Sequence, residues 1–197
     1  MAYCFAETEG APGAPLVLTF HGTGGTSDQF HGFAGQVWPG AHVISPQGDV
    51  SEHGAARFFR RTGEGVYDMD DLARRTDAMA AFVADHAARL GAGRVIGLGY
   101  SNGANILASV LFARPGLFDT AVLMHPLIPW QPDLGRTLEG TRILLTAGRS
   151  DPICPMPLTD ALVETLRGAG ADVHTHVHRG GHEIARSEID ALTDFAR

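Results

Sequence analysis

Three residues of the 197-residue chain have the types and settings that acyl transfer requires: Ser101, Asp151 and His182. Ser101 lies in Gly99-Tyr100-Ser101-Asn102-Gly103, a Gly-x-Ser-x-Gly pentapeptide that is too short to carry a function alone. A serine hydroxyl is a poor nucleophile at neutral pH and needs a general base, itself oriented by a carboxylate. His182, in Gly180-Gly181-His182-Glu183, can be that base, and Asp151, in Gly148-Arg149-Ser150-Asp151-Pro152, can orient it. Each assignment has a rival. Asp151 could instead cap the helix after it, and His182 could be an ordinary loop histidine. Glu183 would point away from a turn that presents His182. Asp172 precedes its strand and belongs at the opposite edge of a parallel sheet.

A second requirement is a site for the charge that builds on the carbonyl oxygen. His21-Gly22-Thr23-Gly24-Gly25 is a glycine-rich loop after an apolar run. Backbone N–H groups fixed in such a loop stabilise an oxyanion by about 3–4 kcal/mol per donor in well-studied cases. The expected donors are the N–H groups of Thr23 and of Asn102, the residue after the nucleophile. His21 could act as a base, but a histidine in such a loop more often holds it through hydrogen bonds. A phosphate-binding loop is the other reading of 21–25, and it lacks the Gly-Lys-Ser/Thr ending.

These residues need elements that bring them to one place. Short apolar runs at 16–20, 42–45, 94–99, 120–124, 142–147 and 173–178 read as strands rich in Val, Ile and Leu. Their lack of strict alternation suits strands covered on both faces. Residues 3–6 read as an added edge strand. Segments 70–90, 102–113 and 158–167 have helical period, with Gly168 closing the third, and a last helix contains Ile189, Leu192 and Phe195. The alternation predicts one three-layer α/β domain over 1–197: a mostly parallel sheet of about six or seven strands with helices on both faces and no cap domain. In parallel strands, Thr23, Ser101, Asp151 and His182 all emerge at the carboxyl edge, where such sheets bind ligands.

Two irregular segments, 46–67 and 126–141, are candidates for pocket walls. Phe58, Phe59, Tyr67, Leu127, Ile128 and Trp130 could line an acyl or aryl pocket, or simply pack those loops; Tyr100 could line the pocket or pack beneath it. His125 follows a strand and could meet the substrate, but a histidine there is more often a hydrogen-bonded structural one. His174, His176 and His178 alternate along one strand and are too far apart, at about 6–7 Å per step, to converge on one ion. They read as a partly solvated edge face, and no metal or cofactor is expected.

Composition narrows the partners. The chain is 44% hydrophobic and 19% charged, with a formal charge of -7, so a nucleic-acid partner is not expected. No apolar stretch reaches the roughly 20 residues that span a bilayer. Residues 1–10 lack the basic and apolar regions of a secretory signal, which predicts a cytoplasmic protein. Cys4 and Cys154 are read as free thiols.

With these motifs in place, the chain resembles the phospholipase/carboxylesterase branch of the α/β-hydrolases, including bacterial carboxylesterases related to dienelactone hydrolase. The resemblance runs from His21-Gly22-Thr23-Gly24-Gly25 through Gly99–Gly103 to Asp151-Pro152 and Gly181-His182-Glu183. Ser45-Pro46-Gln47-Gly48 followed by Arg57-Phe58-Phe59-Arg60-Arg61 is similar to the subgroup associated with hydroquinone-responsive hydrolases. The resemblance implies a small-molecule ester substrate of short to medium acyl length, with thioesters or lysophospholipids as the alternative, and it makes a homodimer an open expectation. Dienelactone hydrolase proper carries a cysteine nucleophile, and Ser101 shifts the expectation to ordinary ester cleavage. A non-catalytic binding module on the same fold is the rival from another class.

Overall fold

The computed structural model describes residues 3–132, 134 and 138–197. In chain order the elements are β1 (Phe5–Thr8), β2 (Leu16–Phe20), α1 (His31–Val37), β3 (His42–Pro46), β4 (Val50–Glu52), β5 (Ala55–Arg57), β6 (Arg61–Gly63) and β7 (Val66–Tyr67). They continue with α2 (Met69–Leu90), β8 (Val95–Tyr100), α3 (Asn102–Ala113), β9 (Thr120–Met124), β10 (Arg142–Gly148), α4 (Met156–Gly168), β11 (Asp172–His178) and α5 (Arg186–Phe195). Seven strands form one sheet in the order β1-β3-β2-β8-β9-β10-β11. Only β1 runs antiparallel, on β3; the other neighbours are parallel.

Two apolar layers flank the sheet. On one face, Leu18, Phe20, Ile44, Leu123 and Leu145 pack with Met79, Val83, Leu107, Leu111 and Leu166 from α2, α3 and α4. On the other, Leu98, Val122 and Leu144 meet Phe30 and Phe33 at α1, and Leu192 and Phe195 of α5. Burial on both faces explains why the strands read as unbroken apolar runs: every residue of β2 and β9 is buried. The α2 helix is capped by Asp68, whose side chain accepts the Asp71 N–H, and ends at Gly91 with φ 60°. Among the described residues no helix is long and apolar enough to cross a membrane.

The boundaries differ from expectation in four places. The edge strand is Phe5–Thr8 rather than 3–6, because Tyr3 is buried against Phe82. Helix α1 carries two glycines in seven residues, a weak local signal, and is held by tertiary packing of Ala34 and its aromatic neighbours. The irregular segment 46–67 contains two hairpins, β4–β5 and β6–β7; the first turns at His53-Gly54, both at positive φ, as a tight hairpin turn requires. Gly168 belongs to α4, and the left-handed residue after that helix is Gly170, φ 92°. Of segment 126–141, residues 133 and 135–137 lie outside the described residues.

Chain direction reverses between β2 and β8. After β2 the chain moves outward to β3, and after β8 it moves the other way to β9. The loops leaving β2 and β8 therefore diverge and leave a crevice at the carboxyl edge, the topological switch point of a parallel sheet.

Candidate active site

Ser101 stands at that crevice between β8 and α3, with φ 53° and ψ -116°. A non-glycine residue held there is strained, and the turn survives because its neighbours leave no alternative path. A Cβ on Gly99 would lie 2.5 Å from the Gly103 carbonyl oxygen, and one on Gly103 would collide with the backbone of Phe20 and His21. Glycine at both flanks is thus what lets the strand, the helix and the β2 loop meet at the serine.

The histidine that faces Ser101 arrives from another loop. Gly148 ends β10 against the turn at Gly180-Gly181, so closely that a Cβ there would overlap the Gly181 carbonyl. Ser150 N–H donates to the Gly180 carbonyl (2.9 Å) and Arg149 N–H to the His178 carbonyl (2.8 Å). This clamp sets Asp151 beside His182: His182 Nδ1 lies 2.7 Å from Asp151 Oδ2, and His182 Nε2 lies 2.9 Å from Ser101 Oγ. The Tyr100 hydroxyl donates to the His182 carbonyl (2.7 Å) with its ring tilted against the imidazole.

Asp151 is almost wholly buried. Burial alone would raise its carboxyl, but hydrogen bonds from His125 and His182 and from the N–H groups of Cys154 and Ile153 outweigh it and hold the group at about 2. Ionised Asp151 then fixes the proton of His182 on Nδ1 and leaves Nε2 as the acceptor facing Ser101.

Thr23 and Asn102 border the same cavity of about 190 Å³ as Ser101 and His182. Asn102 is the first residue of α3, where the helix supplies no acceptor for the N–H. The loop around Thr23 is braced on three sides. His21 Nε2 accepts the Gly48 N–H (2.9 Å) while Nδ1 lies 2.7 Å from the Gly22 carbonyl, and burial pushes this ring toward its neutral form. Gln47 accepts the Ser27 N–H and reaches His21 with its amide nitrogen. Arg57 donates to the Thr23 hydroxyl (2.6 Å). His21 thus holds the loop and does not approach Ser101 as a base.

The aromatic residues divide. Tyr100 and Leu127 line the cavity. Phe58 and Phe59 do not: both are 0% exposed, Phe58 against Phe20 and Phe59 against Tyr67. The Asn102 side chain accepts the Phe58 N–H (2.8 Å), fixing this segment beneath the site rather than in it. Trp130 packs edge-on behind Tyr67 and borders outer grooves by α3 and α4. The cavity wall is instead more polar than expected, with Arg57, Arg61, Glu64, Tyr67 and Asn105 facing Ile153 and Cys154. Asn105 could have been anticipated, one helical turn beyond Ser101 on the same face. Arg57, Arg60 and Arg61 lie close together in the sequence, but only the hairpin fold turns Arg57 and Arg61 inward, paired with Glu52 and Glu64.

Cys154 is buried, 3.8 Å from His182 Nδ1, and burial pushes its thiol up, so it stays protonated beside the imidazole. Glu183 is exposed and accepts the Gly181 N–H, away from His182. Asp172 opens β11 at the far edge beside Arg142. The histidines of β11 share the face toward α5 and stay partly solvated, as expected: His176 meets Ser187 (2.9 Å), His178 meets Glu188 (3.2 Å), and exposed His174 packs edge-on to Phe195.

Comparison with known proteins agrees with this architecture. Residues 6–190 match the model of the dienelactone hydrolase family. A curated protein named Putative hydrolase MhqD, from Bacillus subtilis (strain 168), is 36% identical over 183 residues, 91% of each chain. A crystal structure of a Bacillus cereus carboxylesterase matches with TM-score 0.93 and 34% identity over 98% of this chain and 93% of that one. The protein Atu2452 from Agrobacterium tumefaciens, described as of unknown function, matches with TM-score 0.95 and 56% identity over 98% of this chain and 95% of that one. With its parallel sheet, flanking helices and relatives of this kind, the chain is a hydrolase of α/β-hydrolase fold and belongs to the dienelactone hydrolase family.

Proposed function

We propose that this hydrolase is a serine esterase that cleaves small carboxylic esters through an acyl-enzyme on Ser101. The observation that carries the reading is the run of contacts from Ser101 Oγ to His182 Nε2 (2.9 Å) and from His182 Nδ1 to Asp151 Oδ2 (2.7 Å). Ser101 Oγ attacks the ester carbonyl while its proton passes to His182. The tetrahedral oxyanion rests on the N–H groups of Thr23 and Asn102. The bond to the alcohol then breaks, and His182 returns the proton to the leaving oxygen. Water attacks the acyl-enzyme, giving its proton to His182. Release of the acid restores the Ser101 hydroxyl, and Asp151 stays ionised throughout.

The compact cavity, bounded by Tyr67, Leu127 and Ile153, favours short acyl groups over lysolipid chains. The Bacillus cereus relative is named a carboxylesterase, which agrees with esters as the substrate class. The test is labelling with a fluorophosphonate together with hydrolysis of p-nitrophenyl acetate and butyrate. Wild type should label and turn over, and Ser101→Ala should lose both, with activity down by about 10⁴-fold or more and the fold retained. An unlabelled wild type would instead favour a non-catalytic binding module.

A further inference from the structure

Behind Asp151 lies a second, buried histidine. His125 follows β9 at positive φ (50°) and is 0% exposed. Its Nδ1 lies 2.9 Å from Asp151 Oδ2, the oxygen that also receives His182. Its Nε2 lies 3.1 Å from Oε1 of Glu188, a carboxylate on α5 that is also 0% exposed. That second approach is close but off the axis of a linear hydrogen bond, the geometry of an ion pair more than of a directed bond. We propose that His125 is a buried imidazolium between two carboxylates, and that with Glu188 it is a positioning residue that orients Asp151 and sets the acid limit of catalysis by His182.

Donor accounting supports the charge. Asp151 Oδ1 already accepts the N–H groups of Ile153 and Cys154. Its Oδ2 takes His182 Nδ1, so His125 can approach the same oxygen at 2.9 Å only as a donor. On the other side, Glu188 Oε1 accepts the Thr146 hydroxyl (2.5 Å) and Oε2 accepts the Ala185 N–H (2.6 Å). If the His125 Nε2 lone pair faced Glu188 Oε1, two acceptors would oppose each other in a dry site, at a cost that buried polar groups avoid. Burial pushes the ring toward neutrality, but hydrogen bonding to Glu188 and Asp151, with their charges, holds it above the ordinary histidine value. Glu188 is drawn below the usual carboxylate range against its own burial, by His125 and Thr146.

The remaining neighbours fit the same assignment. His178, on β11, stands 3.2 Å from Glu188 Oε2, and its Nδ1 accepts the Gly180 N–H (3.0 Å). Its proton is therefore on Nε2, on the side of the carboxylate but off the line of a hydrogen bond. That tautomer makes His125, His178 and Glu188 an ion-pair cluster and not a metal ligand set, since the Nε2 lone pair a metal would need is protonated. Tyr100 packs edge-on to His125, and Cys154 Sγ lies 3.3 Å from the His125 carbonyl. Neither brings a charge.

The consequence falls on His182. The two imidazoles share Asp151 Oδ2 with ring centroids 5.1 Å apart. A fixed positive charge at that distance opposes protonation of His182, so the base stays free to accept the Ser101 proton at lower pH. This role rests on the esterase reading, and the experiment separates the two. The acid limb of kcat/KM for p-nitrophenyl acetate is measured in wild type, His125→Asn, Glu188→Gln and the double variant. Asn suits the left-handed backbone and keeps a donor toward Asp151. Each single variant should move the acid limb up by about one pH unit, and the double variant no further. A lower plateau with an unmoved limb overturns the proposal, because a purely structural histidine would behave so. Nitrogen NMR of histidine-labelled Ser101→Ala gives a readout that needs no variant at His125: one ring should remain doubly protonated at pH 7.5, and its absence overturns the charge. If wild type neither labels with fluorophosphonate nor hydrolyses the ester, the esterase reading fails and the positioning role with it. If wild type is active and the limb does not move, only the positioning role fails.

Discussion

At Asp151 four donors converge on one buried carboxylate, so its protonation is tied to stability and, in the proposed mechanism, to catalysis. Asp151→Asn keeps the shape but can stabilise the wrong His182 tautomer, so kcat should fall by about 10⁴-fold with little change in KM, measured on p-nitrophenyl acetate. The folded-state value of about 2 lies below the ordinary aspartate value near 4. The carboxylate therefore contributes stability above about pH 4 that is lost as pH falls through about 2. His125 has the opposite sign: its raised value gives stability that is complete below the ordinary histidine value and is lost as pH rises through the folded one. Urea unfolding should accordingly weaken more steeply between pH 4 and 2 in wild type than in Asp151→Asn. Cysteine chemistry is a further check at this scale. Cys4 is exposed and Cys154 is buried with a raised thiol, so iodoacetamide should label only Cys4 in the folded protein, as read by peptide mass.

Among the elements, the decisive junctions are loops pressed together at strand ends. The clamp of Gly148 on the Gly180-Gly181 turn is what brings the β10 loop within reach of the β11 loop. Gly148→Ala should force those loops apart, lowering kcat/KM by at least about 100-fold, because an ångström of misplacement is enough. Helix α1 offers the contrast. Gly35 lies inside it with open space where a Cβ would stand. Gly35→Ala should raise unfolding stability by about 0.5–1 kcal/mol and leave kcat unchanged. The long elements α2 and α3 and the six parallel strands were legible from period and apolar runs, since burial on both faces writes itself into composition. Helix α1 and the hairpins β4–β5 and β6–β7 were not, because they are short and stabilised mainly by what they pack on.

For the whole molecule, the switch point between β2 and β8 gathers loops that are distant in sequence into one crevice of limited size. Activity should therefore decline as the acyl chain lengthens, with acetate and butyrate esters preferred over octanoate; a rising series would show that the cavity opens in solution. The sequence by itself determined the fold class and the strand-end positions of Thr23, Ser101, Asp151 and His182, because strand, turn and helix signals are local and a parallel sheet must deliver their ends to one edge. It could not determine the pocket wall. Whether Phe58 or Arg57 faces the cavity depends on how a hairpin folds over the crevice, and the hairpin buried both phenylalanines and turned the arginine inward. Nor could it determine the partnership of His125 with Glu188, which lie 63 positions apart and meet only where the residue after β9 reaches the first turn of α5. Local chemistry is written along the chain, whereas the choice of buried partners depends on three-dimensional packing that no short window of sequence contains.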